Sequence, residues 1–178
     1  MSSLNKGICF EVFLMVNLIR KIFSTTMYIQ IWENRLRVSD IDSGNVFDEK
    51  PYIATDKRNK NRYKVIAVGN KAYATPGTDH VTVMNPFTHP RVLCGDFVHA
   101  EALIRKVIQQ ISKSKLIPNA PAVVIHPMEK LEGGLTDVEL RMFRELGLGA
   151  GARDVAVHTG DELQISGLDF KEFIRKNE

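Results

Sequence analysis

Apolar and polar positions change period several times along the chain, and each change marks an element. Tyr28-Ile-Gln-Ile-Trp32 and Arg35-Leu-Arg-Val-Ser-Asp-Ile41 alternate with period two, predicting antiparallel strands joined by a tight turn at Glu33-Asn34. Strands near Asn45–Phe47 and Tyr52–Thr55 would extend this meander, and Val65–Val68 and Val81–Met84 also read as extended. Gly69–Ala74 reads as a helical turn stopped by Pro76, and the two prolines of Asn85–Pro90 require a loop. From Asp96, an N-cap residue type, the period becomes helical: Phe97, Ala100, Leu103, Ile104, Val107, Ile108 and Ile111 form one stripe, with Lys113 and Lys115 beyond it.

Ala122–His126 is a short unbroken apolar run, as in a strand buried on both faces. A helix is predicted after it, with Thr136 and Glu139 as a capping box and Val138, Met142, Phe143 and Leu146 on one face. Gly147, Gly149 and Gly151 are expected to end it, and Asp154–Val157 reads as the next strand, parallel to the first. Beyond, Thr159 and Glu162 read as another capping box, with Asp161 and Glu162 in a first helical turn. Leu168, Phe170, Phe173 and Ile174 predict a final amphipathic helix.

Composition narrows the class only a little. The chain has 178 residues, a net charge of +3 and 25% charged residues, which suits one domain and gives no argument for nucleic acid. Two cysteines, Cys9 and Cys94, lie far apart, with no zinc or disulfide spacing, pointing to a reducing, cytoplasmic compartment. Lys57–Lys64 holds five basic residues with Tyr63 as the single aromatic; a solvated hairpin tip explains it better than a nucleic-acid surface. His126 and His158 fall at the C-terminal ends of the two predicted parallel strands, where α/β ligand sites lie, but no third ligand or nucleophile joins them. No metal-binding or catalytic residue is assigned.

Val123-Val-Ile-His-Pro127, Val138-Glu-Leu-Arg141 and Gly149-Ala-Gly-Ala-Arg-Asp-Val155 resemble the first subdomain of MreB, the bacterial actin, and the likeness runs from about Met15 to Phe170. It implies an α/β fold of the actin-like ATPase, ribonuclease-H-like type: a mixed sheet with an antiparallel meander followed by βαβ units. In that family the first hairpin carries a phosphate loop of the form Asp-Leu-Gly-Thr. Here the Asp position is Gln30 and the Gly position is Trp32, followed by Glu33 and Asn34 in a shorter turn. An indole removes the room that glycine leaves for phosphate, and Glu33 adds negative charge with no lysine in the hairpin to offset it. The family's acidic residues after the last strand align with Thr159 and Gly160 and are not carried over.

The expected reading is therefore a truncated, non-catalytic MreB-like protein that needs no cofactor. Its partners would be full-length MreB or its own copies, without nucleic acid. Val138, Arg141 and Met142 are candidate contacts, because the matching helix in the family lies close to the face where filaments pair; burial in the core is the competing role for Val138 and Met142. Residues 1–26 form an N-terminal extension before a single subdomain over 27–178, and the true start is either Met1 or Met15. From Met15, Leu18, Ile19, Ile22 and Phe23 fall on one side of a helix with Arg20 and Lys21 opposite, a pattern for an anionic membrane surface or for packing on the domain itself. The alternative function is an ATPase component completed by a partner chain.

Overall fold

The computed structural model describes residues 25–58, 63–112, 120–164 and 169–177. The candidate membrane residues Leu18, Ile19, Arg20, Lys21, Ile22 and Phe23 lie outside them. Strands β1 (Thr26–Ile31), β2 (Leu36–Asp40) and β3 (Val46–Glu49) form the antiparallel meander. β7 (Ala122–Pro127) pairs parallel with β1 and β8 (Asp154–Val157) parallel with β7, giving a five-stranded sheet of order β3-β2-β1-β7-β8.

The meander ends at β3. β4 (Ile53–Asp56) was expected to extend it but instead forms the centre of a second, three-stranded sheet, between β5 (Lys64–Val68) and β6 (Val81–Met84). Buried Pro51, which has no N–H for a ladder, stands between β3 and β4. The chain is redirected there by α1 (Asn70–Tyr73): Asn70 N donates to the Glu49 carboxylate at 2.7 Å and Gly69 N to Tyr52 O at 2.8 Å.

Period-two alternation divides the five-stranded sheet cleanly. Met27, Ile29, Ile31, Val123, Ile125 and Val155 face a core shared with α2 (Phe97–Ser112) and α3 (Asp137–Gly149), into which Ile53 and Val68 of the smaller sheet also pack. Tyr28, Val124 and Ala156 face the other way, against Phe170 and Ile174 of α4 (Phe170–Asn177). The α2 stripe is buried as its spacing requires, and Asp96 caps the helix by accepting from His99 N at 3.0 Å. Thr136 and Glu139 form the predicted capping box.

α3 differs from expectation in two respects. Its buried residues are Phe143, Leu146 and Gly147, with Met142 half-buried, whereas Val138 is 77% exposed. At 100° per residue Val138 stands about 140° from Phe143 around the axis, away from the sheet. Gly147 does not end the helix: a Cβ there would meet Val155 Cγ2 at 2.8 Å and Ile125 Cδ1 at 3.0 Å, so its bare backbone lets α3 lie close on β7 and β8. Of the three glycines only Gly151, with φ +105°, takes the left-handed conformation. Among the described residues no helix is long and apolar enough to cross a membrane.

Candidate functional site

The β1–β2 hairpin and the C-terminal ends of β1 and β7 lie together. Pairing of Gln30 with both Arg37 and His126, and of Arg37 with Asp48, sets four polar residues in one row across β3, β2, β1 and β7. Gln30 is 1% exposed, and its amide nitrogen donates to Glu162 Oε1 at 2.9 Å. Arg37 Nη1 stands 3.7 Å from the same oxygen. At the row's end Arg35 grips Asp48 with two hydrogen bonds of 2.7 and 2.6 Å, which hold the Asp48 carboxyl below its ordinary range.

Glu162 therefore does not serve as a helix cap. Residues 158–164 are not helical, and α4 begins later, where Asp169 Oδ1 accepts from Glu172 N at 3.1 Å. The 158–163 segment instead returns over the strand ends. His126 Nε2 lies 3.1 Å from Gly160 O, an acceptor only, so this nitrogen carries the proton. Nδ1 is then bare and accepts from Tyr28 O–H at 2.6 Å, while Tyr28 Oη accepts from Leu163 N at 3.3 Å. Every donor in this chain has an acceptor only while the imidazole is neutral. Burial, and then the neighbouring His158, push the His126 pKa down; burial pushes the Tyr28 phenol up. The two histidine rings stand 4.5 Å apart, as their strand-end positions suggested, and His158 Nε2 reaches Asp161 O at 2.9 Å. Among the described residues no group of three acidic, His or Cys side chains is placed to hold a metal.

The hairpin turn is the second half of the site. Trp32 N donates to Arg35 O at 2.9 Å, closing a two-residue turn at Glu33 and Asn34. The half-buried Trp32 indole carries the Arg35 guanidinium 5.0 Å above its ring. Glu33 N donates to the Glu129 carboxylate at 2.7 Å, and Glu33 O accepts from Asn85 Nδ2 at 2.7 Å. The Glu33 side chain, expected to lack a counter-charge, meets Lys130 Nζ at 3.0 Å. That lysine comes from the segment after β7 rather than from the hairpin, and it also donates to His89 O. Asn34 is exposed.

The candidate residues thus divide. Gln30, Trp32 and Glu33 converge at one end of the sheet, with Asn34 at the tip of their turn, while Val138 and Arg141 stand exposed on α3 with half-buried Met142 at the margin of its buried stripe. Sequence reasoning missed Glu129, Lys130 and Asn85, and it misread Glu162. Their one available signal was position: Glu129 and Lys130 follow the C-terminal end of a parallel strand, where α/β sites form.

A mixed sheet of this order, with its first hairpin placed beside the ends of parallel strands, is the fold of the actin-like ATPases. The structure is similar to that of MreB5 of Spiroplasma citri bound to AMPPNP, with a TM-score of 0.56 and 16% identity over 77% of this chain and 39% of that one. MreB5 bound to ADP gives 0.57 and 16% over 77% and 38%. A non-polymerising MamK mutant bound to AMPPNP gives 0.56 and 11% over 76% and 41%. The chain thus spans about two fifths of the length of these neighbours. None of the curated proteins matches it. The MreB/Mbl protein family model matches residues 24–166, and the chain belongs to that family.

Proposed function

We propose that this protein is a non-catalytic, nucleotide-independent MreB-like scaffold of the cell-shape cytoskeleton, working in the cytoplasm at the inner face of the membrane. The observation that carries the reading is the Glu129 carboxylate on the Glu33 amide. A phosphate loop offers free backbone N–H groups to an anion. In this hairpin Trp32 N is spent on Arg35 O and Glu33 N on a carboxylate of the same chain. An incoming phosphate would have to displace Glu129 beside a second carboxylate, with Lys130 already paired.

Recognition then falls to protein surfaces. On α3, Val138, Arg141 and Met142 lie within about 100° of one another around the axis, Val138 and Arg141 on the side away from Phe143 and half-buried Met142 at the margin of the core face. Val138 is exposed where a core residue would be covered, which leaves it open to contact with MreB or with a second copy of this chain. Sedimentation velocity tests this: self-association, or association with MreB, should be equal with and without ATP and weakened about tenfold or more by Val138→Glu. Association that requires ATP would favour the alternative of an ATPase component completed by a partner.

The segment around Leu18, Ile19, Arg20, Lys21, Ile22 and Phe23 would hold the protein at an anionic membrane. Burial of a large apolar side chain contributes roughly 1.5–3 kcal/mol at most, so single copies bind weakly and assembled copies hold. Anionic liposomes should pellet the intact chain and leave a chain beginning at Thr26 in solution; equal pelleting would remove this segment from the account.

A further inference from the structure

Away from the strand ends, β5 and α2 enclose an open hollow of about 560 Å3, whose lining includes Tyr63, Lys64, Arg105, Lys106 and Gln109. The volume is within the range of small-ligand sites, roughly 300–1,000 Å3. Its chemistry is one-sided. Three lining side chains are cationic and no lining residue is acidic among the described residues. The side chains of Lys64 and Lys106 make no hydrogen bond or ion pair among those residues.

Arg105 is fixed in place. It pairs with Glu101 and donates to Gly149 O from Nη2 at 2.6 Å and from Nε at 3.2 Å, which caps the C-terminal end of α3 and ties it to α2. The Tyr63 ring is held by stacking on His99, with centroids 5.3 Å apart and planes 25° apart. Arg105 and Tyr63 are thus held on one wall, and two solvated ammonium groups border the same space. Ammonium groups offer donors only, three each, and a phosphate offers the matching set of acceptor oxygens.

We propose that this hollow binds a phosphate-bearing anion, with Lys64 and Lys106 as the charged contacts and Tyr63 and Gln109 as polar ones. The phosphate belongs either to a small phosphoester or pyrophosphate in solution or to an anionic lipid headgroup. The site is separate from the hairpin, so its occupancy does not depend on the reading of Glu129.

Calorimetric titration with pyrophosphate, alongside pelleting with phosphatidylglycerol vesicles, tests the proposal on the full chain. Three proteins are compared: wild type, Lys64→Glu/Lys106→Glu, and Arg175→Glu/Lys176→Glu, which makes the same charge change on α4. Saturable pyrophosphate binding, weakened at least about tenfold in the first variant only, supports a soluble phosphate. Vesicle binding weakened in the first variant only, without pyrophosphate binding, supports a lipid headgroup. No pyrophosphate binding together with vesicle binding that is absent or unchanged in the first variant, or an equal loss in both variants, overturns the proposal. Lys64→Gln/Lys106→Gln, checked by its melting curve, repeats the test without charge reversal.

Discussion

His126 shows how one buried residue fixes the state of a whole segment. It is fully buried and neutral, and both ring nitrogens are committed, one to Tyr28 and one to Gly160 O. Its folded pKa lies below the 6.5 of an unperturbed imidazole, so the unfolded chain takes up the proton first as pH falls. The stability this gives is fully present above 6.5 and is lost as pH falls from there through the lowered folded value. Urea unfolding should show a lower midpoint at about pH 5.5 than at about pH 7.5, with a smaller difference in His126→Gln. An equal difference in the variant would place the titration elsewhere. Tyr28→Phe removes the O–H that Nδ1 accepts and should cost about 1–3 kcal/mol of unfolding free energy. The nearness of the two histidines was legible from strand order, but the Tyr28 and Leu163 contacts join residues 135 apart in sequence, and no local pattern announces them.

Helices and strands were mostly legible because their period is dictated by which face meets the core. The α2 stripe and the Thr136 capping box are of this kind, since cap and stripe are local chemistry. Thr136→Ala should lower stability by about 1 kcal/mol, read from the denaturation midpoint. Gly147 was misread because a glycine near a helix end has two explanations, and only packing against Ile125 and Val155 chooses between them. Gly147→Ala gains helix propensity of roughly 1 kcal/mol yet must push into those side chains, an overpacking that costs about 1–3 kcal/mol. Net destabilisation is expected, and a stabilised variant would show that α3 has room to move. Val138 was open to two readings for a related reason: apolar character marks an interface as well as a core, and the helical angle from Phe143 removes only the core reading.

For the whole molecule, the division into two sheets was not legible, because strands β3 and β4 look alike in sequence and only their partners differ. The same holds for the hairpin. Its sequence leads to the expectation that Trp32 and Glu33 suit phosphate poorly, but the carboxylate on Glu33 N comes from 96 residues away. That internal anion turns a weak argument from residue type into one from geometry, and it is the claim on which the proposed scaffold role depends. Titration of the Lys64→Glu/Lys106→Glu variant with a fluorescent ATP analogue and magnesium tests it most directly, since any phosphate binding at the β5–α2 hollow is then removed. No saturable signal is predicted; saturable micromolar binding in that variant would contradict the account.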